Sequence, residues 1–311
     1  MARYVRISNI SSGYTSVDLS SNYQSIINQI KKHLDALIQE VLPDRPDLIV
    51  LPEVCDWPSN LPQEKIMEYY KERGTQILDY FREIARNNNC YITYPAVMED
   101  ENGIWRNSTR IIDRDGNIAG IYHKNHLVIE ENTVYGLAYG TEAPLIQCDF
   151  GNIGCVICFD LNFDRLRLQY VEKRPEIILF SSMAHGGLLQ RYWAYSCRAY
   201  FVGATSTLPG TIISPVGEII TSTTNYTPYI TADINLDYCV AFISYNERKF
   251  KEMKKKYGSG VKIYDPGLLG SVLITCEMQD KTIKEIIKEF DIELLDDYFN
   301  RALTHREKNI K

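Results

Sequence analysis

Three short apolar runs in this chain each end on one reactive side chain. The runs are DLIVLPE, IAGIYHK and GNIGCVIC, and they close on Glu53, Lys124 and Cys158. Short apolar runs of this kind are typical of buried strands. A carboxylate, an ammonium and a thiol at the ends of such strands supply a base, a cation and a sulfur nucleophile. The pattern therefore predicts a covalent acyl-transfer site at the edge of a sheet.

Cys158 is the strongest candidate nucleophile among the eight cysteines. The residues that follow its strand are predicted to begin a helix, with Asp160 or Asn162 as the capping residue. A thiol on a strand-to-helix turn points out of the sheet end, so the backbone N–H of Phe159 can face a substrate oxygen. We interpret most of the other cysteines as small buried apolar residues.

Glu53 and Lys124 indicate a functional site only when they are considered together, because a single carboxylate or ammonium at a loop is usually solvated. A free glutamate and a free cysteine differ by about four pKa units, roughly 6 kcal/mol against proton transfer from thiol to carboxylate. Glu53 can act as the base for Cys158 only if burial raises the carboxyl pKa and a cation lowers the thiol pKa. Lys124 is the natural cation, and it could also stabilise the oxyanion of a tetrahedral intermediate.

The contexts of these residues, Leu-Pro-Glu at Glu53, Tyr-x-Lys at Lys124 and Cys-aromatic-Asp at Cys158, resemble the nitrilase, or carbon–nitrogen hydrolase, superfamily. The resemblance covers the chain to about residue 236. It implies a Glu-Lys-Cys triad and an acyl-enzyme in which the substrate is held as a thioester. It also implies that neither a metal nor an organic cofactor is required.

The resemblance implies further site residues. Family members often carry a second glutamate before a Gly-x-x-x-Gly segment, which here is residues 136–140. We assign Glu131 to this position, with Glu130 as the close alternative. His185 follows a predicted strand at the place where the family lines its substrate pocket, although an ordinary loop histidine is an equally good interpretation.

The predicted helices and strands are mixed with hairpin turns and do not alternate strictly. This order suits an α/β fold in which two mixed sheets pack face to face with helices outside, and the resemblance implies the same four-layer α-β-β-α sandwich. We interpret residues 1–311 as a single domain with a catalytic body to about residue 236. The extension, about 237–311, is predicted to pack on the body or on a partner subunit, and to hold a charged helix, a strand at 271–276 and a helical end.

Composition argues against several classes of partner. A formal net charge of −6 does not favour nucleic-acid binding. The N-terminal sequence lacks the apolar core of a signal peptide, and no window reaches the ~18 apolar residues of a membrane span. The cysteines are too sparse for a dense disulfide framework. We therefore expect a cytoplasmic protein without a membrane partner, acting on a small molecule.

The residues after the nucleophile narrow the reaction. True nitrilases of the family have Cys-Trp-Glu, whereas the sequence Cys-Phe-Asp at 158–160 is similar to the amidase and carbamoylase side. We predict a cysteine-dependent hydrolase of a linear amide or N-carbamoyl compound, assembled as a homodimer or a higher homo-oligomer. Two alternatives remain open: a nitrile hydrolase, and a catalytically silent or regulatory binding protein on the same fold.

Three other interpretations of the reactive residues are weaker. Cys155 and Cys158 form a C-x-x-C pair, but residues three apart on a strand point to opposite faces, and no second pair completes a zinc site. His123 and His126 lack further ligands of defined spacing, so no metal site is predicted. A Cys–His enzyme would need His185 beside the thiol, and no matching signature surrounds the cysteine.

Overall fold

Fifteen strands, nine α-helices and four short 3₁₀ helices lie within residues 1–310, the part of the chain that the computed structural model describes. The strands are β1 (Tyr4–Ile10), β2 (Leu48–Val50), β3 (Tyr91–Glu99), β4 (Trp105–Ile112), β5 (Ile118–His123), β6 (Ile146–Cys148), β7 (Gly151–Ile157), β8 (Ile177–Ser182), β9 (Tyr200–Thr205), β10 (Thr211–Ile213), β11 (Ile219–Ser222), β12 (Tyr229–Asn235), β13 (Tyr238–Phe242), β14 (Val261–Tyr264) and β15 (Ser271–Cys276).

The helices range from one turn to five turns in length. They are α1 (Tyr23–Val41), α2 (Ile66–Arg73), α3 (Gln76–Asn88), α4 (Ile129–Thr133), α5 (Asp164–Lys173), α6 (Leu188–Cys197), α7 (Glu247–Tyr257), α8 (Ile283–Glu289) and α9 (Leu295–Asn309). Within the described residues, none of them is both long enough and apolar enough to cross a membrane. The chain divides into a larger compact unit, residues 6–232, and a smaller one made of residues 1–5 and the chain from residue 233.

Two six-stranded mixed sheets form the larger unit. Their strand orders are β12-β1-β2-β3-β4-β5 and β11-β10-β9-β8-β7-β6. In the centre of each sheet three strands run parallel, β1-β2-β3 and β7-β8-β9, while their outer neighbours pair antiparallel. Strand β5 therefore runs in the same direction as β2. The carboxyl ends of these two strands lie at the same edge, which is where open α/β sheets place their ligands.

The two sheets pack face to face. Asn9 Nδ2 on β1 donates to the Gly203 carbonyl on β9 at 2.8 Å, and Ser181 Oγ on β8 donates to the Leu51 carbonyl after β2 at 2.9 Å. Buried residues of α1, α2 and α3 pack against the first sheet. On the second sheet, the Tyr170 hydroxyl of α5 donates to the Cys155 carbonyl. The predicted α-β-β-α order is therefore confirmed.

The first helix shows how local sequence produces this packing. Asn22 accepts a hydrogen bond from the Ser25 N–H at 2.9 Å and caps α1. Its apolar residues recur at helical spacing and are buried, each contributing on the order of 1.5–3 kcal/mol of transfer free energy. The α-helix ends at Val41, because Pro43 has no N–H and its ring cannot continue the hydrogen-bond ladder. The residues buried on α1 are Ile26, Ile27, Ile30, Leu34, Ile38 and Val41.

The smaller unit contains more strands than its sequence indicated. Strands β13, β15 and β14 form an antiparallel sheet in that order, and α7 and α8 supply residues to its apolar core. The sequence analysis predicted only the strand at 271–276. The two missing strands are five and four residues long, and runs so short carry little periodicity. The role of this extension in packing stays a prediction.

The helix after the nucleophile also differs from its prediction. Cys158–Asn162 form a short 3₁₀ helix, and α5 begins at Asp164 after Phe163. The prediction that Asp160 or Asn162 caps this helix is wrong. Asn162 Nδ2 donates back to the Phe159 carbonyl at 3.0 Å, and the carboxylate of Asp160 turns away from α5 toward the strands.

A buried ion pair supports the first sheet three residues beyond Glu53. Asp56 Oδ2 accepts from Arg73 Nη1 and from the Tyr94 hydroxyl, each at 2.5 Å, and both members of the ion pair are buried. Arg73 Nη2 also donates to the Val97 carbonyl at 2.6 Å. The pair thereby ties α2 to β3 and to the chain that follows β2.

We expect Asp56→Ala to lower the free energy of unfolding by about 3–5 kcal/mol, because it leaves the Arg73 guanidinium buried without its counter-ion. The measurement is urea unfolding followed by circular dichroism. Asp79→Ala is the matched control, since it removes an exposed pair with Arg82 and should cost no more than about 1 kcal/mol. Equal losses in the two variants would contradict this account of the fold.

Candidate active site

Glu53 lies just beyond β2, and its carboxylate is buried with three donors around it. Oε1 accepts from Asn107 Nδ2 and from Lys124 Nζ, both at 2.8 Å, and Oε2 accepts from the backbone N–H of Met183 at 3.1 Å. Only 2% of the residue is exposed. The carboxylate is therefore fixed in orientation by contacts from both sheets.

Lys124 follows the last residue of β5 and bridges two carboxylates. Its ammonium donates to Glu53 Oε1 at 2.8 Å and to Glu131 Oε2 at 2.7 Å. Burial opposes the charged form, but the two carboxylates outweigh it and raise the pKa of Lys124 above its usual value. The ammonium is therefore a permanent charge at neutral pH.

Gly140 holds the backbone of Lys124 in place. Its N–H donates to the Lys124 carbonyl at 2.7 Å. A Cβ at this position would overlap the carbonyl oxygen of His123, so the approach requires glycine. The Gly-x-x-x-Gly segment noted in the sequence thus contacts the strand end that carries the cation.

The short helix α4 selects between the two adjacent glutamates. Glu131 lies toward the site, where Oε2 accepts from Lys124 and from the Val128 N–H at 2.8 Å and Oε1 accepts from Asn107 Nδ2 at 2.8 Å. Glu130 is exposed, although it lines the cavity beside the site. The structure therefore brings Glu131, the preferred assignment, into contact with Lys124.

Cys158 occupies the turn at the end of β7 in a left-handed backbone conformation, with φ of 44°. Such a conformation is uncommon for a residue with a side chain and is typical of functional turns. All eight cysteines are free thiols, and Cys158 is the one that is not fully buried. The nucleophile candidate is therefore distinguished from the others by both backbone and access.

The thiol of Cys158 responds to the same charged cluster. Burial raises its pKa, the carboxylate of Glu53 raises it further, and the ammonium of Lys124 lowers it. Hydrogen bonding from Ser182 and from the Met183 N–H also lowers it. The net direction is upward, so the resting group at neutral pH is a thiol.

Asp160 connects the nucleophile turn to the strand end that carries the cation. Oδ1 accepts from the backbone N–H of His126 at 2.7 Å and lies 2.8 Å from the Nδ1 of its ring. Oδ2 accepts from the Tyr122 hydroxyl at 2.6 Å and from the Ile157 N–H at 3.3 Å. The fully buried Asp160 therefore fixes the segment around Lys124 relative to β7.

Phe159 is the first residue after the thiol and belongs to the 3₁₀ helix. The N–H groups in the first turn of a helix have no acceptor within that helix. Its ring is 39% exposed and packs edge-on against Phe163, with centroids 5.2 Å apart. The backbone N–H of Phe159 thus remains the candidate oxyanion donor, and this role stays a prediction.

A cavity of about 250 Å³ opens beside the charged cluster. Glu53, Lys124, Glu131 and Cys158 lie on its lining, which brings the four predicted catalytic residues to one space. The rest of the wall is mostly apolar and aromatic. The larger side chains of that wall are Trp57, Ile66, Tyr70, Tyr135, Leu137 and Met183.

His185 is not among the residues that line this cavity, and its role in substrate binding stays a prediction. It lines a separate cavity of about 310 Å³ together with Gln190 and Thr211. Gly186 and Gly187, with φ of 75° and 51°, turn the chain into α6 directly after the histidine, and the Gly187 N–H donates to His185 Nδ1 at 3.0 Å. Met183, two residues before His185, lines the cavity of the Cys158 thiol in its place.

The histidines that flank Lys124 bind neighbouring side chains. His123 Nδ1 lies 2.7 Å from Ser108 Oγ, and His126 Nδ1 lies 2.8 Å from Asp160 Oδ1. Across residues 1–310, no group of three or more His, Cys, Asp or Glu side chains could hold a metal ion.

The sequence of the chain matches the model of a known protein family. The carbon–nitrogen hydrolase family model matches residues 10–244, which include strands β2 to β13 and all four candidate catalytic residues. The chain belongs to the carbon–nitrogen hydrolase family. The resemblance inferred from the residues at the ends of the three apolar runs is therefore confirmed.

Relatives in this family are distant in sequence, and they align with about two thirds of this chain. An omega-amidase NIT2 from Xenopus tropicalis is 23% identical over 226 residues, which is 65% of this chain and 81% of the relative. A deaminated glutathione amidase from Dictyostelium discoideum is 24% identical over 236 residues, with the same two shares covered. Both relatives are named as amidases.

Solved structures share the fold. The NitFhit protein of Caenorhabditis elegans superposes with a TM-score of 0.65 at 15% identity, covering 93% of this chain and 98% of that one. A carbon–nitrogen hydrolase from Helicobacter pylori G27 has a TM-score of 0.63 at 16% identity, covering 82% and 93%. At these identities the likeness establishes the fold alone.

Two polar residues that organise the site were not predicted from the sequence. Asn107 Nδ2 lies 2.8 Å from both Glu53 Oε1 and Glu131 Oε1, and the Tyr14 hydroxyl donates to the Glu53 carbonyl at 2.9 Å. Asparagine is unfavourable in a strand, so its place in the middle of β4 was an available signal. Tyr14 lies in an irregular segment, and no feature of the sequence indicated its contact with Glu53.

The charges around Cys158 predict how its reactivity changes with pH. Because Glu53 raises the thiol pKa, Glu53→Gln should move the inflection of the iodoacetamide alkylation rate to lower pH than in the unmodified protein. Intact-mass spectrometry over a pH series follows the single adduct. Glu83→Gln, an exposed change on α3, should leave the profile in place. A Glu53→Gln profile that is unchanged or moved upward would contradict the proposed charge coupling.

Proposed function

We propose that this protein hydrolyses the C–N bond of a linear amide or N-carbamoyl compound through a thioester on Cys158. The observation that carries the proposal is the buried Lys124 ammonium, held by Glu53 and Glu131 on a cavity that the thiol also lines. A base, a cation and an accessible thiol in one partly apolar cavity are what covalent acyl transfer requires. The amidase names of the two relatives support the same reaction.

In the first half of the reaction, Glu53 takes the thiol proton as the sulfur attacks the carbonyl carbon. Lys124 and the Phe159 N–H stabilise the oxyanion that forms. Collapse of the tetrahedral intermediate breaks the C–N bond, and the leaving amine or ammonia takes its proton from Glu53, assisted by Glu131. The acyl group is then bound to Cys158 as a thioester.

In the second half, Glu53 removes a proton from a water molecule that attacks the thioester. The carbon–sulfur bond breaks, the carboxylic acid leaves, and the thiol recovers its proton. Each step moves a proton between groups that already share the cluster. No step needs a metal or an organic cofactor.

The first proton transfer leaves the net charge of the cluster unchanged. Two carboxylates, one ammonium and a neutral thiol carry a formal charge of −1, and moving the proton from Cys158 to Glu53 leaves that sum unchanged. The transfer therefore redistributes charge inside the cavity and creates no additional net charge there. The ammonium of Lys124 lowers the pKa of the Cys158 thiol and so offsets part of the rise that burial and Glu53 cause.

We propose further that the protein works in the cytoplasm as a homo-oligomer. The eight free thiols suit a reducing compartment. Exposed apolar side chains on α5 and α6, Leu168, Leu188 and Tyr192, provide surface for association between copies. Analytical ultracentrifugation of the full chain measures the number of subunits.

Ammonia release from a panel of amides, N-carbamoyl compounds and matched nitriles tests the proposed reaction. We expect turnover of C(=O)–N substrates and a loss of about 10³-fold or more in kcat for Cys158→Ala, since the nucleophile is removed. Glu53→Gln should lose about 10²–10⁴-fold through the missing base. Selective turnover of nitriles would contradict the amide assignment.

His185→Ala is the matched control for this series. Because His185 lies outside the cavity that holds the thiol, its loss should leave kcat within about threefold of the unmodified protein, as for residues away from the reacting atoms. Near-complete inactivation of a folded His185→Ala variant would instead favour a Cys–His enzyme. No release from any substrate, with Cys158 inert to iodoacetamide, would favour a binding protein.

A further inference from the structure

The charge inside the cavity limits which acyl groups can enter it. Lys124 is the cation of the lining, and Glu53 and Glu131 already hold its ammonium at 2.8 and 2.7 Å. Neither arginine nor histidine is among the lining residues. A carboxylate on a substrate would therefore lose its hydration without gaining a free counter-ion.

Glu130 adds a third carboxylate at the open side of this cavity. It is exposed, it lines the cavity, and no group within residues 1–310 donates a hydrogen bond to its carboxylate. Three carboxylates against one ammonium leave a formal charge of −2 around the space. An anionic substrate would meet repulsion at the entrance as well as a missing partner inside.

The walls of the cavity favour an uncharged, apolar ligand. Trp57, Tyr70 and Tyr135 face the cavity together with aliphatic side chains such as Ile66 and Leu137. Apolar surface of this kind gains about 25 cal/mol for each Å² removed from water. The cavity of about 250 Å³ suits a compact group.

We infer that the acyl group of the substrate is uncharged, apolar and short, and that Glu130 determines specificity by excluding anionic acyl groups. This inference rests on the proposed amide hydrolysis, because it names the substrate class of that site. It distinguishes simple apolar amides from the monoamides of dicarboxylic acids, which present the same reacting group with a carboxylate at the other end.

Two amides of nearly equal shape separate the possibilities. In 4-methylpentanamide a branched alkyl end stands where succinamate carries its carboxylate. We expect kcat/KM to be higher for 4-methylpentanamide by about 100-fold or more, as a cavity without a counter-ion rejects a charged group. A kcat/KM for succinamate equal to or above that of its apolar partner would overturn the inference and leave the hydrolase proposal standing.

Charge reversal at the entrance tests the role of Glu130. Glu130→Lys should raise the ratio of kcat/KM for succinamate to kcat/KM for 4-methylpentanamide by about fivefold or more, the scale of one partly exposed charge pair. Glu83→Lys on α3 makes the same change in net charge away from the cavity, and it should leave the ratio of the two kcat/KM values unchanged. An equal gain in both variants, or none in Glu130→Lys, would overturn the assignment of specificity to Glu130.

Binding to the Cys158→Ala variant separates this inference from the proposed reaction. Isothermal titration calorimetry with the two amides should detect 4-methylpentanamide and not succinamate. Binding of the apolar amide without turnover by the unmodified protein would overturn the hydrolase proposal while supporting the apolar ligand class. Preferential binding of succinamate, or binding of neither amide, would overturn the ligand class itself.

Discussion

The site depends on one buried ammonium. Lys124 holds Glu53 and Glu131 together, and these three residues come from separate segments of the chain. A buried charge of this kind is tolerated only when oppositely charged groups surround it, and removal of one partner from a buried pair commonly costs about 3–5 kcal/mol. The same contact that stabilises the cation also fixes the carboxylate of Glu53, the proposed base, on the cavity that the Cys158 thiol lines. Stability and chemistry are therefore coupled at a single side chain.

The scaffold around that ammonium consists of polar contacts between elements distant in sequence. Asp160 joins the nucleophile turn to the residues that flank Lys124, while Asn107 donates to both carboxylates. Gly140 allows the close approach of backbone that holds the lysine. Such contacts orient the reactive groups before a substrate arrives, which is how a preorganised site lowers the free energy of a charged transition state.

Much of this arrangement could be predicted from sequence, because apolar runs that end on reactive residues locate the carboxyl ends of strands. That reasoning located Glu53, Lys124 and Cys158. The order of the elements and the family resemblance supplied the sandwich fold, and the resemblance alone supplied Glu131. It did not separate Glu130 from Glu131, since the register of a five-residue helix decides which one reaches Lys124. It also left two interpretations of His185 open, and that residue lines a separate cavity. Contacts such as that of Asn107 depend on tertiary packing that no local pattern encodes.

The most direct test of the thioester is rapid-quench mass spectrometry during turnover of 4-methylpentanamide. The account predicts a C₆H₁₁O acyl adduct that maps to the peptide containing Cys158, formed in step with the first equivalent of ammonia released per site. Treatment with hydroxylamine should release that adduct as the hydroxamate. Turnover without any covalent intermediate, or an adduct on another residue, would contradict the central claim that Cys158 carries the acyl group.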